Sequence, residues 1–198
     1  MYGACTKLLR RPESPADATI LLLAPTRTAA HNINGQTIHS VFKIPIEHSR
    51  QYQPLSCDTL NSLRATLENV KIIIIDELSM VSGRLFEYLD GRLRQIMGVS
   101  HSSESGIFGN VSILAVGDFY QLAPVMADPL VLPSTWFGNQ LFRDNFKFVE
   151  LTQVMRQKDD AVFATTLNSL RIKNKIEPIS PEIRSEERRV GKECRSRW

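Results

Sequence analysis

The sequence predicts a layered α/β domain built on a mostly parallel sheet. Two features of the chain predict it. Short apolar runs recur without the polar alternation of a half-solvated strand. Stretches of helical period lie between and after them, so successive strands are joined by crossovers rather than tight turns. Ligands of such sheets bind at the carboxyl ends of the strands. The residues just after each run are therefore where chemistry is expected.

The runs, in order, are Thr19–Ala24, Lys71–Ile75, Val111–Val116 and Phe146–Leu151. The first three are continuous, as expected of central strands covered on both faces. Asp58 is positioned to cap a short helix with Leu60, Leu63 and Leu67 on one face. Ser82 is positioned to cap a longer one that turns Leu85, Phe86, Leu89, Leu93 and Met97 inward. A third is expected to start at Asp159 or Asp160 and to bury Phe163, Leu167 and Leu170. Two segments read as irregular. His101–Asn110 is rich in Ser and Gly and expected to be an exposed loop. Met126–Gly138, with Pro129, Pro133 and Trp136, is expected to wander over the surface before the fourth strand.

Composition narrows the class. The chain has 198 residues, 42% hydrophobic and 23% charged, which suits one globular domain with a real core. No apolar run approaches a membrane span, and Met1–Lys7 lacks the apolar stretch of a secretory signal. Cys5, Cys57 and Cys194 lie far apart, which fits a reducing compartment and neither a disulfide framework nor a zinc site. The net charge of +3 is weak support for nucleic acid. The excess sits in Arg184, Arg188, Arg189, Lys192, Arg195 and Arg197, against Glu186, Glu187 and Glu193. That end changes composition abruptly and has no apolar period, so residues 185–198 are expected to be a non-native basic tail.

Four motifs carry chemistry. Ile72-Ile73-Ile74-Ile75-Asp76-Glu77 is a Walker-B-type pattern: a buried strand ends and two acids emerge at once. Asp76 is the candidate ligand for magnesium on a nucleotide, and Glu77 the candidate group that orients or deprotonates the attacking water. The third run leads into Gly117-Asp118-Phe119-Tyr120-Gln121. The Gln121 amide can donate to a γ-phosphate oxygen and accept from water, so it can distinguish triphosphate from diphosphate without adding charge. After the fourth run, Arg156 is the candidate guanidinium that stabilises charge developing on the phosphates. After the first run come Pro25-Thr26 and, further on, Gly35-Gln36-Thr37-Ile38-His39-Ser40. Their hydroxyls, backbone N–H groups and imidazole suit the sugar-phosphate backbone of single-stranded DNA, with Pro25, Thr26, Thr37 and His39 as the candidates.

Together the motifs Gly-Gln-Thr-Ile-His-Ser, Asp-Glu-Leu-Ser-Met, Gly-Asp-Phe-Tyr-Gln-Leu-Ala-Pro-Val and Leu-Thr-Gln-Val-Met-Arg-Gln resemble, in order and spacing, the Pif-type (petite integration frequency) DNA helicases. These belong to the RecD-like branch of superfamily one, and the resemblance runs from Thr19 to Lys173. It implies a RecA-like P-loop NTPase motor domain. It also implies ATP and Mg2+ as cofactors and single-stranded DNA and DNA forks as partners. The activity implied is ATP hydrolysis coupled to 5′-to-3′ translocation and duplex unwinding, in DNA repair, recombination and genome or telomere maintenance. By the same resemblance Asp76 and Glu77 serve the metal and the water, Gln121 senses the γ-phosphate and Arg156 is the arginine contact. A monomer is expected, inside the cell, in nucleus or mitochondrion if the source is eukaryotic. Ser79-Met80 and Phe119-Tyr120 favour this family over a RecD-like or relaxase–helicase relative.

The sequence departs from the family at one central point. Gly-x-x-x-x-Gly-Lys-Ser/Thr is absent; the single Gly-Lys pair, Gly191-Lys192, is followed by Glu193. Residues 1–165 are thus expected to form a partial first motor domain, truncated before its phosphate-binding loop. Residues 166–184 are expected to start the next helical segment. Without that loop the β- and γ-phosphates lack their principal seat, and the chain by itself is expected to be inactive. A second departure is Arg27, where relatives place glycine; the expected effect is either a clash in the turn or an added phosphate contact. The rival reading is an inactive remnant of a mobile element that at most binds DNA or a partner.

Overall fold

The computed structural model describes residues 20–46, 52–100, 106–125, 127–131 and 139–151. The chain divides into two units, Met1–Phe146 and Lys147–Trp198. All helices and strands described below lie in the first.

Four parallel strands form one sheet: β1 (Ile20–Ala24), β2 (Gln36–Thr37), β3 (Ile72–Ile75) and β4 (Ser112–Ala115), in the order β2-β1-β3-β4. The three expected continuous runs are β1, β3 and β4. Their register is flush: Leu23 pairs with Ile75, Ile75 with Ala115, and Ala24 with Thr37. All four carboxyl ends therefore open on one edge of the sheet. The helices are α1 (Arg27–Asn32), α2 (Ile38–Phe42), α3 (Cys57–Leu67), α4 (Gly83–Met97) and α5 (Gln140–Asn145).

The core forms on one side of the sheet. Leu23, Ile73 and Ile75 join Phe86, Leu89 and Leu93 of α4 in a single cluster, all 1% exposed or less. The pleat sends Leu22, Ile72, Ile74 and Leu114 to the other face. Leu22, Ile72 and Ile74 are partly covered and Leu114 is exposed, whereas Ile20 and Ala24 on that face are buried, Ala24 against Ala29 and Ala30 of α1. The expectation of strands buried on both faces thus holds for one face and in part for the other. Helix α4 begins as the sequence predicts, with the Ser82 Oγ accepting from the Leu85 N–H at 3.1 Å. For α3 the N-cap is Ser56, and Asp58 lies in the first turn instead. An acid there still faces the positive end of the helix, so the expected cap lies two residues beyond the real one.

Two supposedly irregular segments are tied in where they are described. Ile107–Asn110 forms a 3-10 turn whose Phe108 is 3% exposed. Its amide donates to the Asp90 carboxylate, which also accepts from the buried Arg94 guanidinium at 2.8 Å. Within the second segment, Leu130 is 1% exposed, and Pro129 bridges to Ser82 beside the start of α4. The expected fourth strand is not formed. Phe146 closes α5 instead, donating its N–H to the Phe142 carbonyl, and residues 147–151 carry neither helix nor strand. The helix expected after Asp159 lies outside the described residues.

Candidate functional site

The open edge of the sheet gathers the candidates. Asp76 follows β3 directly, and its N–H donates to the Leu23 carbonyl at 2.9 Å, which extends the ladder by one bond beyond the strand. Glu77 then adopts the left-handed conformation, φ 52° and ψ 46°. A non-glycine residue there costs about 1–3 kcal/mol. The conformation turns the chain at once into a 3-10 turn, Leu78–Met80. The Glu77 N–H donates to Asp76 Oδ1 at 2.9 Å, fixing the two acids relative to each other. Both carboxylates are half-buried at the strand end.

The next strand brings Gln121 to the same edge. Val116 N–H donates to the Ile75 carbonyl at 2.8 Å, and Leu78 N–H donates to the Val116 carbonyl at 3.0 Å. The segment after β4 is thus laced to the segment that carries the acids. Gly117 permits this: a Cβ on it would lie 2.8 Å from the Leu78 nitrogen and 3.0 Å from the Leu78 Cβ. Gly117→Ala is expected to push the two segments apart and lower stability by about 1–3 kcal/mol. Urea unfolding measures this; an unchanged midpoint would show that the close approach is not required. Beyond Gly117, the Gln121 Nε2 donates to Asp118 Oδ2 at 3.1 Å and the Gln121 N–H to the Asp118 carbonyl at 2.9 Å. Asp118 also accepts from the Tyr120 N–H at 3.1 Å. It is the residue that sequence reasoning missed, an Asx-type turn holding the glutamine on the exposed loop. The Gly-Asp pair was its visible signal.

On the other side of β1 lie the candidates for strand binding. Thr26 caps α1, its Oγ1 accepting from the Ala29 N–H at 3.2 Å. Thr37 caps α2 in the same way, accepting from the Ser40 N–H at 3.2 Å. Since Ala24 pairs with Thr37, the two caps are neighbours at the edge. Gly35 brings β2 that close: its Cβ would sit 2.5 Å from the Leu22 carbonyl oxygen. Pro25 and His39 are half-buried beside them. Between α1 and α2 opens a cavity of about 330 Å³, lined by Arg27, His31, Gln36, Thr37 and Ser40 over Ala30. Gln36 and Ser40 belong to the motif read for strand contact, Arg27 was open between a clash and a phosphate contact, and His31 was not singled out. Arg156 lies outside the described residues.

Among the described residues no group of three or more His, Cys, Asp or Glu could hold a metal ion. Asp76 therefore fits Mg2+ only in the way that ion usually binds, with one carboxylate and a shell completed by water and phosphate oxygens. The donor set suits the metal end of a nucleotide, and the sequence supplies no Gly-Lys-Ser/Thr loop for the remaining phosphates. Ser79, just behind the acids, is 5% exposed, and its Oγ has no hydrogen-bond partner among the described residues.

Residues 2–177 match the family model described as PIF1-like helicase. Among curated proteins the chain is 31% identical over 159 residues to "ATP-dependent DNA helicase PIF1" of Saccharomyces cerevisiae, covering 78% of this chain and 18% of that protein. It is 33% identical over 153 residues to "ATP-dependent DNA helicase Pif1" of Campylobacter jejuni, covering 70% of this chain and 31% of that one. Among solved structures, a Pif1 helicase from Bacteroides in complex with ADP-AlF3 and single-stranded DNA superposes with a TM-score of 0.60 at 28% identity. It covers 84% of this chain and 39% of that one. The chain thus spans less than a third of the length of either curated relative.

Proposed function

The chain belongs to the PIF1-like helicase family, and on that premise we propose that it forms part of the first RecA-like motor domain of an ATP-dependent DNA helicase. The observation that carries the reading is the shared edge. Two acids, a tethered glutamine and two capped threonine turns leave the same ends of four parallel strands. Acids and glutamine suit a nucleotide; the threonine turns suit a phosphodiester strand beside it.

In this reading Asp76 holds Mg2+ through water and Glu77 takes a proton from the attacking water. When bound there, the metal would supply positive charge against the phosphate oxygens. Gln121 is already restrained by Asp118, and its amide turns toward the γ-phosphate by exchanging that contact. Arg156 supplies the positive charge that stabilises the transferring group. Thr26, Thr37, Pro25 and His39 line the path of a single DNA strand. Translocation 5′ to 3′, unwinding of forks and service in repair, recombination and telomere maintenance belong to the whole helicase.

Two measurements test this. The chain by itself is expected to bind single-stranded DNA and to show no magnesium-dependent ATP turnover. Joined in frame to the phosphate-loop segment and second motor domain of a related helicase, it is expected to hydrolyse ATP in a DNA-stimulated manner. A correctly folded chimera without turnover would sink the nucleotide half of the reading. Turnover by the chain alone would sink the requirement for the loop.

A further inference from the structure

The cavity between α1 and α2 holds polar groups that the fold does not use. Arg27 and His31 are four residues apart on α1, so they stand on the same face. Both are exposed, and among the described residues neither side chain has an ion-pair or hydrogen-bond partner. Across the cavity lie Ser40 on α2 and Gln36 on β2. Thr37 is engaged in capping, its Oγ1 accepting from the Ser40 N–H, and the exposed Ser40 hydroxyl has no hydrogen-bond partner among the described residues. The lining therefore offers a guanidinium fork, an imidazole, a hydroxyl and an amide, with no carboxylate among them.

That set matches one chemical class. A guanidinium recognises the paired oxygens of a phosphate, and hydroxyl and amide donors complete its shell. The volume of about 330 Å³ lies at the lower end of small-ligand sites, larger than a bare phosphate needs. The cavity is also displaced from the acids. β1 lies between β2 and β3, so at ordinary strand spacing it sits roughly 10 Å to the side of Asp76. It is not the seat of the reacting nucleotide, and it adjoins the Thr26 and Thr37 turns.

We propose that Arg27 and His31, with Gln36 and Ser40, form a phosphodiester seat that grips one backbone phosphate of a single-stranded DNA beside the threonine turns. The proposal rests on the strand-binding reading above and adds side-chain contacts to it. Arg27 supplies the charge and His31 a ring N–H. Backbone contacts of this kind fix register along the strand and carry no base preference.

The test is the salt dependence of binding to a short labelled oligo-dT strand, followed by fluorescence anisotropy. For single strands each neutralised phosphate contributes about 0.7 to the slope of log affinity against log salt. Arg27→Gln is expected to flatten the slope by about 0.7 and Arg27→Lys to restore it. His31→Leu is expected to weaken binding roughly three- to tenfold, the usual net loss of one solvent-exposed hydrogen bond. Circular dichroism on each variant checks that the fold is kept, and a misfolded variant would lose binding outright rather than change its slope alone. If the unsubstituted chain binds and Arg27→Gln retains both affinity and slope, the seat is overturned while the strand-binding reading stands. If the unsubstituted chain does not bind at all, both fall. If inorganic phosphate, at matched ionic strength, displaces the strand from the unsubstituted chain and not from Arg27→Gln, the strand's own phosphate occupies the cavity, as expected. If phosphate binds the cavity without displacing the strand, the cavity takes a free phosphate and the strand assignment is overturned.

Discussion

Glu77→Gln, placed in the completed chimera, is expected to lower ATP turnover by about 10²–10⁴-fold, the usual contribution of a positioned general base. The substitution keeps the size of the side chain and removes its ability to accept a proton. It leaves the Glu77 N–H free to donate to Asp76 Oδ1 as before, because that bond uses the backbone. Nucleotide affinity, measured with a fluorescent analogue, is therefore expected to change little. Asp76→Asn provides the contrast. It weakens the ligand for the metal, so its loss of turnover should be partly rescued by raised magnesium, and the Glu77→Gln loss should not. Equal rescue of both would mean that the two acids share one role.

Phe86→Ala is expected to destabilise the domain by about 3–5 kcal/mol. Phe86 is fully buried on α4. Its ring meets Phe108 at 5.1 Å, Phe142 at 5.8 Å and Phe146 at 5.5 Å, mostly edge to face. Removing it takes the central member from a group in which each edge-to-face pair contributes about 0.5–1.5 kcal/mol beyond area burial. A domain of this size has about 5–15 kcal/mol in total, so the variant should unfold at much lower urea. The cavity it leaves is bordered by Phe108 of the 3-10 turn at Ile107–Asn110 and by Phe142 and Phe146 at α5. Residual DNA binding in buffer, with a lowered urea midpoint, is the expected pairing. A midpoint within error of the parent would mean that the aromatic group repacks around the gap.

The parts of the fold that could be read from the sequence are those with long, repeated signals. β1, β3 and β4 are continuous apolar runs, and α4 has a serine cap followed by four turns of inward apolar residues. β2 has two residues, and α1 and α2 have six and five. Elements that short carry no period, and they form because Thr26, Thr37 and Gly35 fix the backbone around them. Leu130 was misplaced because three apolar residues between Pro129 and Pro133 are too few to show a period that marks one of them as core. Arg92 was invisible for the opposite reason, since arginine reads as surface. It is 3% exposed, held between the rings of Tyr52 and Tyr88 and donating to the Gln53 carbonyl at 2.6 Å. Burial pushes the Tyr52 phenol above its ordinary range, and the guanidinium beside it opposes that shift. The strand-end positions of the candidate residues were legible, because chemistry at a strand end needs particular residue types at particular offsets. Asp76, Glu77, Gln121, Thr26 and Thr37 all reach the predicted edge. The run at Phe146–Leu151 failed as a strand because apolar content does not create a partner for the ladder.

One peptide carbonyl joins the two halves of that edge. Leu23 accepts from the Asp76 N–H, and the next residue of the same strand, Ala24, registers with Thr37. β1 is thus a common beam: on one flank it carries the acids, on the other the threonine turns proposed to hold DNA. In mechanical terms the compliance between the two flanks is that of adjacent hydrogen-bonded strands, not of a flexible linker. A displacement of a fraction of an ångström of β3 along its axis has little slack to dissipate in before it loads the threonine turns. A motor built on this edge would transmit force over the width of one strand, and its step would be set by how far whole loops swing, with little lost to stretching within the sheet.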